Sequence, residues 1–211
     1  MLPRLILIAD RAAAAGRPLP IVVAHAAKGV EGRLIVQLRE PGVADAVAIR
    51  FLRAIQRKVP AGTTLTVNNR PDVAQTLDLG LHLPAYAERP PGSFVMVGRS
   101  VHDQIEAETA LAEHADYAIV GTIFPTASHP GRAGAGLDHL RILADALDPI
   151  PVFAIGGITA DNAAECIAAG AWGVAVRQAI MAAADPGASA RAILDVLPPW
   201  RDSGGQISQG A

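Results

Sequence analysis

The residues best suited to chemistry lie in short polar segments that follow apolar runs. The clearest is Gly156-Gly157-Ile158, directly after Val152–Ile155. Glycine lets a backbone approach an anion closely, and the N–H groups at a helix N-terminus attract negative charge. Arg177-Gln178 opens a predicted helix after the last apolar run, where Arg177 either adds positive charge or is a solvated surface arginine. The sequence therefore predicts a phosphate site formed by Gly156, Gly157, Arg177 and Gln178.

Two further segments carry groups that suit a ligand ring or its charged substituents. Gln37 and Arg39 alternate with apolar neighbours, so both side chains lie on one side of a strand and suit an anionic, hydrogen-bonding ligand. The alternative for Arg39 is a surface pair with Glu40. Asn68 and Asn69 are adjacent amides that either read a heteroaromatic ring or act as turn formers before the next helix.

Histidines and hydroxyl groups supply the candidate acid–base residues. Ser100 and His102 follow the fifth apolar run together with Arg99, and His102 is either a general acid–base or a structural residue that holds a loop. The segment 121–136 has no apolar periodicity, which predicts a binding loop or a merely flexible one. Its candidate residues are Thr122, Thr126, Ser128, His129 and Arg132.

The scaffold for these residues is indicated by eight apolar runs that alternate with segments of helical periodicity. The runs are Leu5–Ala9, Leu34–Leu38, Thr63–Val67, Leu79–Leu83, Phe94–Gly98, Tyr117–Val120, Val152–Ile155 and Gly173–Val176. Helices are predicted at 18–30, 43–58, 71–78, 103–113, 137–147, 161–169, 177–183 and 188–196. Continuous apolar runs are typical of strands covered on both faces, and their alternation with helices indicates parallel strands. We therefore predict a single (β/α)8 TIM barrel, with functional groups at the carboxyl ends of its strands.

Composition limits the partners and the location. The 211 residues fit one domain, assigned to 1–200, followed by a predicted disordered tail at 201–211. The formal net charge of −2 gives no reason to expect nucleic acid as a partner. No membrane association is expected, because the first apolar run is too short to span a bilayer, and a cytoplasmic location follows. The single cysteine, Cys166, excludes an internal disulfide and a cysteine-cluster metal site.

The order and spacing of these segments over about residues 5–197 resemble the thiamin phosphate synthase/TenI family. The matching stretches are Gln37-Leu38-Arg39-Glu40, Val67-Asn68-Asn69-Arg70, Leu81-His82-Leu83, Gly98-Arg99-Ser100-Val101-His102, Ala115-Asp116-Tyr117, Ile123-Phe124-Pro125-Thr126, Ala154-Ile155-Gly156-Gly157-Ile158, 169–176 and Asp185-Pro186. The resemblance implies a TIM barrel that binds a phosphorylated thiazole in thiamin biosynthesis. It implies ligand contacts for Gln37, Arg39, Asn68, Ser100, Thr126 and Ser128, and thiazole-phosphate contacts for Gly157, Arg177 and Gln178.

Two activities are known in this family. Synthases use magnesium to join a pyrimidine pyrophosphate to a thiazole phosphate, whereas TenI-type members aromatise a thiazole phosphate carboxylate tautomer without a metal. This chain has Asn69 in place of a magnesium-binding Asp, and Pro84-Ala85-Tyr86-Ala87 in place of a Gly-Gln-x-Asp stretch, while Pro41 and His129 replace two lysines. Magnesium prefers carboxylates and phosphate oxygens. These departures favour a thiazole tautomerase without a cofactor, with magnesium required only by a synthase.

The identity of the acid–base is open, because Thr122 occupies the position after strand 6 where a TenI tautomerase carries a histidine. A threonine hydroxyl is a poor base near neutral pH, so proton transfer falls to His102, His129, the substrate carboxylate or water. A divergent thiamin phosphate synthase and a non-catalytic phosphate-ligand binder or regulator are the alternatives. Barrels of this kind often pair through their outer helices, so a homodimer or larger homo-oligomer is compatible with the sequence.

Overall fold

The barrel is seen in a computed structural model that describes residues 2–126, 131 and 133–198. Within these residues, eight parallel strands close into a barrel in chain order, and β8 pairs with β1. The strands are β1 Leu5–Ala9, β2 Ile35–Leu38, β3 Thr64–Asn68, β4 Gly80–Leu83, β5 Val97–Val101, β6 Tyr117–Gly121, β7 Val152–Ile155 and β8 Gly173–Val176. The predicted TIM barrel is confirmed, and the predicted tail at 201–211 lies outside the described residues.

Helices cover the outside of the barrel and agree with the predicted segments to within two residues at either end. They are α1 Leu19–Gly29, α2 Asp45–Gln56, α3 Pro71–Leu77, α4 Gln104–Ala112, α5 Gly136–Ala146, α6 Ala163–Ala168, α7 Gln178–Met181 and α8 Pro186–Asp195, with a short 3-10 helix at Ala12–Ala14. The start of α6 comes two residues later than predicted, because Asn162 Oδ1 accepts a hydrogen bond from the Thr159 N–H and holds a turn there. In the described segments, no helix combines the length and the apolarity needed to cross a bilayer.

Strand β5 is displaced by three residues from the predicted run. Phe94, Val95 and Met96 precede the strand, so Arg99 and Ser100 lie within it and their side chains face opposite sides. Arg99 faces the helices, where its guanidinium donates to Glu113 Oε1 at 3.1 Å. The expectation that Arg99 joins Ser100 and His102 at the mouth is therefore wrong, and the cause is the apolar segment before the strand.

The barrel interior holds two large aromatic rings that pack against glycines on neighbouring strands. A Cβ atom on Gly98 would lie 2.0 Å from Cζ of Tyr117, and one on Gly173 would lie 2.8 Å from Cε1 of Phe153. Because interiors are close-packed, these inward glycines provide the space that the rings occupy. The remaining buried hydrophobic residues of this inner cluster are Ile6, Ile8, Ile35, Met96, Ile119, Trp172 and Ala175.

Candidate functional site

A cleft of about 690 Å³ opens at the carboxyl ends of β2 to β5. This volume lies in the range of sites that bind small molecules. The predicted site residues along its walls are Arg39, Asn68, Asn69, Ser100 and His102. They come from separate parts of the sequence and meet because all the strands of the barrel are parallel, so their carboxyl ends lie on one face.

Gln37 lies beneath the cleft, inside β2, and is 2% exposed. Its Nε2 atom is 3.4 Å from Asn68 Oδ1, which is a long hydrogen bond, and its Oε1 atom has no partner among the described residues. An unsatisfied buried acceptor costs about 1–3 kcal/mol. Gln37 therefore offers a ligand N–H group an acceptor that the described part of the protein does not use.

Arg39 is a cation without an ion-pair partner in the described part of the chain. Its neighbour Glu40 instead pairs with Arg11, whose Nε lies 3.0 Å from Glu40 Oε2. The alternative of an Arg39–Glu40 surface pair is therefore wrong. The exposed guanidinium of Arg39 is available to an anionic ligand in the cleft.

The wall that carries Arg39 and the two asparagines is fixed by Arg70. Its guanidinium pairs with Asp45 and donates to the carbonyl oxygens of Glu40 and Val43, at 3.1 and 2.6 Å. Asn69 has a positive φ of 51° and donates its N–H to the His82 carbonyl at 2.8 Å. Asn69 thus serves as the predicted turn former, while its side chain also lines the cleft.

His102 stands at the edge of the cleft with 58% of its side chain exposed. Its Nδ1 atom lies 2.9 Å from Glu106 Oε2, which also accepts from the His102 N–H at 2.6 Å. Asp103 caps α4 by accepting from the Glu106 N–H at 2.9 Å. A carboxylate-paired imidazole suits general acid–base chemistry, and the same contacts also order the start of the helix. Both predicted roles of His102 are therefore compatible with its position.

His82 is a site residue to which the sequence assigned no role. It is 2% exposed and faces the barrel interior, with Nε2 2.9 Å from Ser100 Oγ and Nδ1 3.3 Å from the Tyr117 hydroxyl. Burial, together with the smaller effect of the nearby charges of Arg99 and Arg39, lowers the pKa of His82 to about 3, so the ring is neutral. Burial likewise raises the pKa of Tyr117, which keeps its hydroxyl protonated. The signal in the sequence is a lone histidine between two leucines in a short apolar strand.

The Gly156-Gly157 turn lies after β7 and packs tightly against the loop after β6. Both glycines have positive φ, 104° and 67°, which favours glycine. A Cβ atom on Gly156 would lie 2.4 Å from Cγ2 of Thr122, and one on Gly157 would lie 2.5 Å from the Pro125 carbonyl oxygen. The turn therefore requires glycine for its contacts as well as for its backbone conformation.

The same turn presents unused N–H groups. Those of Gly157 and Ile158 donate to no group in the segments that the structure describes. Asn162 holds the turn from behind, since its Nδ2 atom donates to the Gly157 carbonyl at 3.0 Å. Unpaired N–H groups in a turn with left-handed residues can bind an anion, as the predicted phosphate site requires.

Arg177 lies at the end of β8, and its positive charge is neutralised by an ion pair. Its guanidinium forms a two-point ion pair with Asp10, which is 5% exposed, and its Nη2 is 3.1 Å from Asp10 Oδ1. Asp10 also accepts from the Ala13 N–H at 2.7 Å, so the pair joins the ends of β8 and β1. Neither alternative for Arg177, a free positive charge or a solvated arginine, describes this arrangement. Gln178 begins α7 and is exposed.

The loop after β6 extends the β6–β7 pairing beyond the strand ends. The N–H groups of Ile123 and Phe124 donate to the carbonyls of Ile155 and Gly156, at 2.9 and 3.0 Å. The chain then returns, and the Ala135 N–H donates to the Thr122 carbonyl at 2.8 Å. Thr122 thereby lies against the glycine turn, and Thr126 follows in the same loop. Ser128, His129 and Arg132 lie outside the described residues, so their predicted roles stay predictions.

The carboxylates around the mouth are already paired. Asp10 binds Arg177, Glu40 binds Arg11, Asp45 binds Arg70 and Glu106 binds His102. Over the described residues, no cluster of three histidine, cysteine or acidic side chains could hold a metal ion. Since magnesium is bound in proteins mainly by carboxylates and phosphate oxygens, these side chains do not fit a carboxylate-held magnesium ion.

Comparisons with known proteins agree on one family. The family model described as thiamine monophosphate synthase matches residues 5–180. A putative thiamine-phosphate synthase of Geobacter sulfurreducens is 39% identical over 204 residues, covering 92% of this chain and 94% of the relative. A thiamine-phosphate synthase of Moorella thermoacetica is 41% identical over 192 residues, covering 86% and 90%. The solved thiamine phosphate pyrophosphorylase of Pyrococcus furiosus superposes with a TM-score of 0.77 at 30% identity, covering 92% of this chain and 95% of that one.

Proposed function

The chain belongs to the thiamine monophosphate synthase family, and from this premise we propose that it is a thiamine-phosphate synthase that joins a phosphorylated thiazole to a pyrimidine pyrophosphate. The observation that carries the proposal is the division of the mouth into two binding regions. One is the turn of Gly157 and Ile158 after β7, and the other is the cleft over β2 to β5. A condensation of two substrates needs two such regions side by side.

The names of the relatives support the same activity. The proteins from Geobacter and Moorella carry the synthase name and match nearly the whole chain. The departures from the synthase pattern in the sequence predict instead a tautomerase of the TenI branch. The comparisons give that branch no specific support, so we propose the synthase activity as the main function.

Each region of the mouth suits one substrate. The N–H groups of Gly157 and Ile158 bind the thiazole phosphate, because unpaired main-chain donors attract an anion. Arg39 supplies the positive charge for the pyrophosphate, and Gln37 Oε1 accepts a hydrogen bond from an N–H group of the pyrimidine. These roles use only groups that lack partners among the described residues.

Magnesium is implied by the resemblance to synthases, but the paired carboxylates of the mouth do not fit it. No step of the proposal therefore passes through a metal. The same observation favours a second candidate, metal-free tautomerisation of a thiazole phosphate carboxylate. His102, paired with Glu106 at the cleft edge, is the described acid–base residue for that reaction.

The test is to incubate purified protein with a thiazole phosphate and a pyrimidine pyrophosphate, with magnesium and with a chelator, and to quantify thiamine phosphate. The Moorella relative serves as the positive control. Product formation above the protein-free rate supports the synthase, and its absence alongside an active control overturns the proposal. A parallel assay with the thiazole carboxylate tautomer, repeated with His102→Ala, tests the second candidate. Tight binding of thiazole phosphate by calorimetry without either reaction would identify a non-catalytic binder.

A further inference from the structure

We propose that His82 is a positioning residue that fixes the hydroxyl group of Ser100 as a hydrogen-bond donor toward the cleft. The His82 ring makes two contacts, from Nε2 to Ser100 Oγ at 2.9 Å and from Nδ1 to the Tyr117 hydroxyl at 3.3 Å. Both ring nitrogens are thus engaged, one at the cleft and one inside the barrel. The proposal rests on the proposed function only for the kind of ligand, an anion, that Ser100 meets.

A neutral imidazole has one nitrogen that donates and one that accepts. His82 is neutral because burial and two neighbouring arginines oppose its protonation. The Tyr117 hydroxyl keeps its proton and can donate it to Nδ1. In that case Nε2 carries the hydrogen and donates to Ser100 Oγ, and the hydrogen of Ser100 is left to point elsewhere.

The ligand decides between this arrangement and its reverse. In the reverse arrangement Ser100 donates to Nε2 and turns only its lone pairs toward the cleft. Those lone pairs would repel the anion that the free charge of Arg39 attracts to the same cleft. With Nε2 as the donor, Ser100 instead donates to that anion, so the geometry favours the Nε2–H form of His82.

The position of His82 is otherwise unexpected for a residue that only fills space. It lies between Leu81 and Leu83, whose side chains belong to the hydrophobic layer on the other face of the strand. Burying a polar ring is unfavourable unless its nitrogens are hydrogen-bonded. The two hydrogen bonds offset that cost, and one of them ends on a cleft residue.

A double-mutant cycle tests the coupling, with the pyrimidine pyrophosphate as the probe in calorimetry. We expect His82→Leu to weaken binding about tenfold when Ser100 is present, the size of one lost hydrogen bond, and to have no effect in Ser100→Ala. His82→Gln, which keeps an N–H donor near the place of Nε2, should retain most of the affinity. Equal losses in both backgrounds, or no rescue by His82→Gln, would overturn the proposal.

Nitrogen NMR of histidine-labelled protein provides a second measurement that needs no ligand. The Nε2–H form is expected for His82, and Tyr117→Phe should perturb the Nδ1 resonance. A dominant Nδ1–H form would overturn the proposal whether or not the protein binds any substrate. If the wild type neither binds the probe nor makes thiamine phosphate, the proposed function fails, while the ring resonances still decide the role of His82.

Discussion

Nε of Arg11 lies 3.0 Å from Oε2 of Glu40, the residue that follows Arg39. The carboxylate of Glu40 is therefore paired with an arginine 29 positions before it and not with Arg39. The pair joins the segment after β1 to the end of β2. Because Glu40 is 8% exposed, its charge is bound in the wall of the mouth rather than in solvent. The guanidinium of Arg39 is thus left to pair with an anionic ligand in the cleft.

Arg39→Gln should weaken binding of the pyrimidine pyrophosphate by about 10- to 100-fold, because a hydrogen bond to a charged group contributes roughly 1.5–3 kcal/mol. Calorimetric titration measures the change. Arg50→Gln, an exposed change on α2, is the matched control and should bind like the wild type. Equal affinities of the two variants would show that Arg39 does not contact the ligand.

Gly157→Ala should reduce both thiazole-phosphate affinity and the free energy of unfolding. The new Cβ would meet the Pro125 carbonyl at 2.5 Å and push the turn away from the loop after β6. Gly62→Ala is the control, since Gly62 also has positive φ but no atom within 4 Å of the added Cβ. It should lose only the backbone term, about 1–2 kcal/mol. Similar losses for both alanine variants, measured by urea unfolding, would mean that the contact with Pro125 is unimportant.

The stability of the protein should fall between about pH 6.5 and about pH 3 through His82. Its pKa is lowered from 6.5 to about 3 in the folded protein, so in this range the unfolded chain takes up a proton that the folded chain does not. The contribution of His82 is complete above pH 6.5 and decreases below it, by at most ~1.4 kcal/mol per pH unit. The difference between the urea midpoints at pH 7 and at pH 5 should therefore be smaller for His82→Gln than for the wild type. His25→Gln, at an exposed site, should behave like the wild type.

Removal of magnesium should leave the melting temperature and the thiazole-phosphate affinity of the free protein unchanged, because the carboxylates of the mouth are paired with cations. Asn69→Asp adds an unpaired carboxylate at the cleft and should create a magnesium-dependent rise in melting temperature. Differential scanning fluorimetry with magnesium and with a chelator measures both effects. A chelator-induced loss of stability in the wild type would contradict the argument.

The fold could be predicted from the sequence because eight apolar runs alternate with helical segments, and each run overlaps one strand of the barrel. The one displaced strand, β5, shows the limit of that signal. Phe94, Val95 and Met96 are as apolar as a strand, yet the strand follows them. Because the strand extends to Val101, Arg99 lies inside it rather than after it, and side chains alternate along a strand, so Arg99 faces away from Ser100.

The candidate site was predictable only where neighbours in the sequence define it. The shared side of Gln37 and Arg39 and the glycine turn at 156–157 are local features. Three residues of the site contact partners from distant parts of the chain: Glu40, which follows Arg39, and also Arg177 and Ser100. The partner of Arg177, for example, is Asp10. Neither alternation nor spacing in the sequence shows which distant charge will neutralise an arginine. The cation available to a ligand could therefore be identified only from the three-dimensional structure.

The missing side chain at position 98 has a bearing on how this protein could evolve. The ring of Tyr117 lies where a methyl group on Gly98 would be, and its hydroxyl thereby reaches the histidine beneath the cleft. Any gain of volume at 98 must accompany a smaller residue at 117, and that exchange would also remove the phenol. Positions 98 and 117, deep in the barrel, are thus expected to change together. Such an exchange would also alter substrate recognition in the cleft, because it removes the hydroxyl group that contacts the histidine.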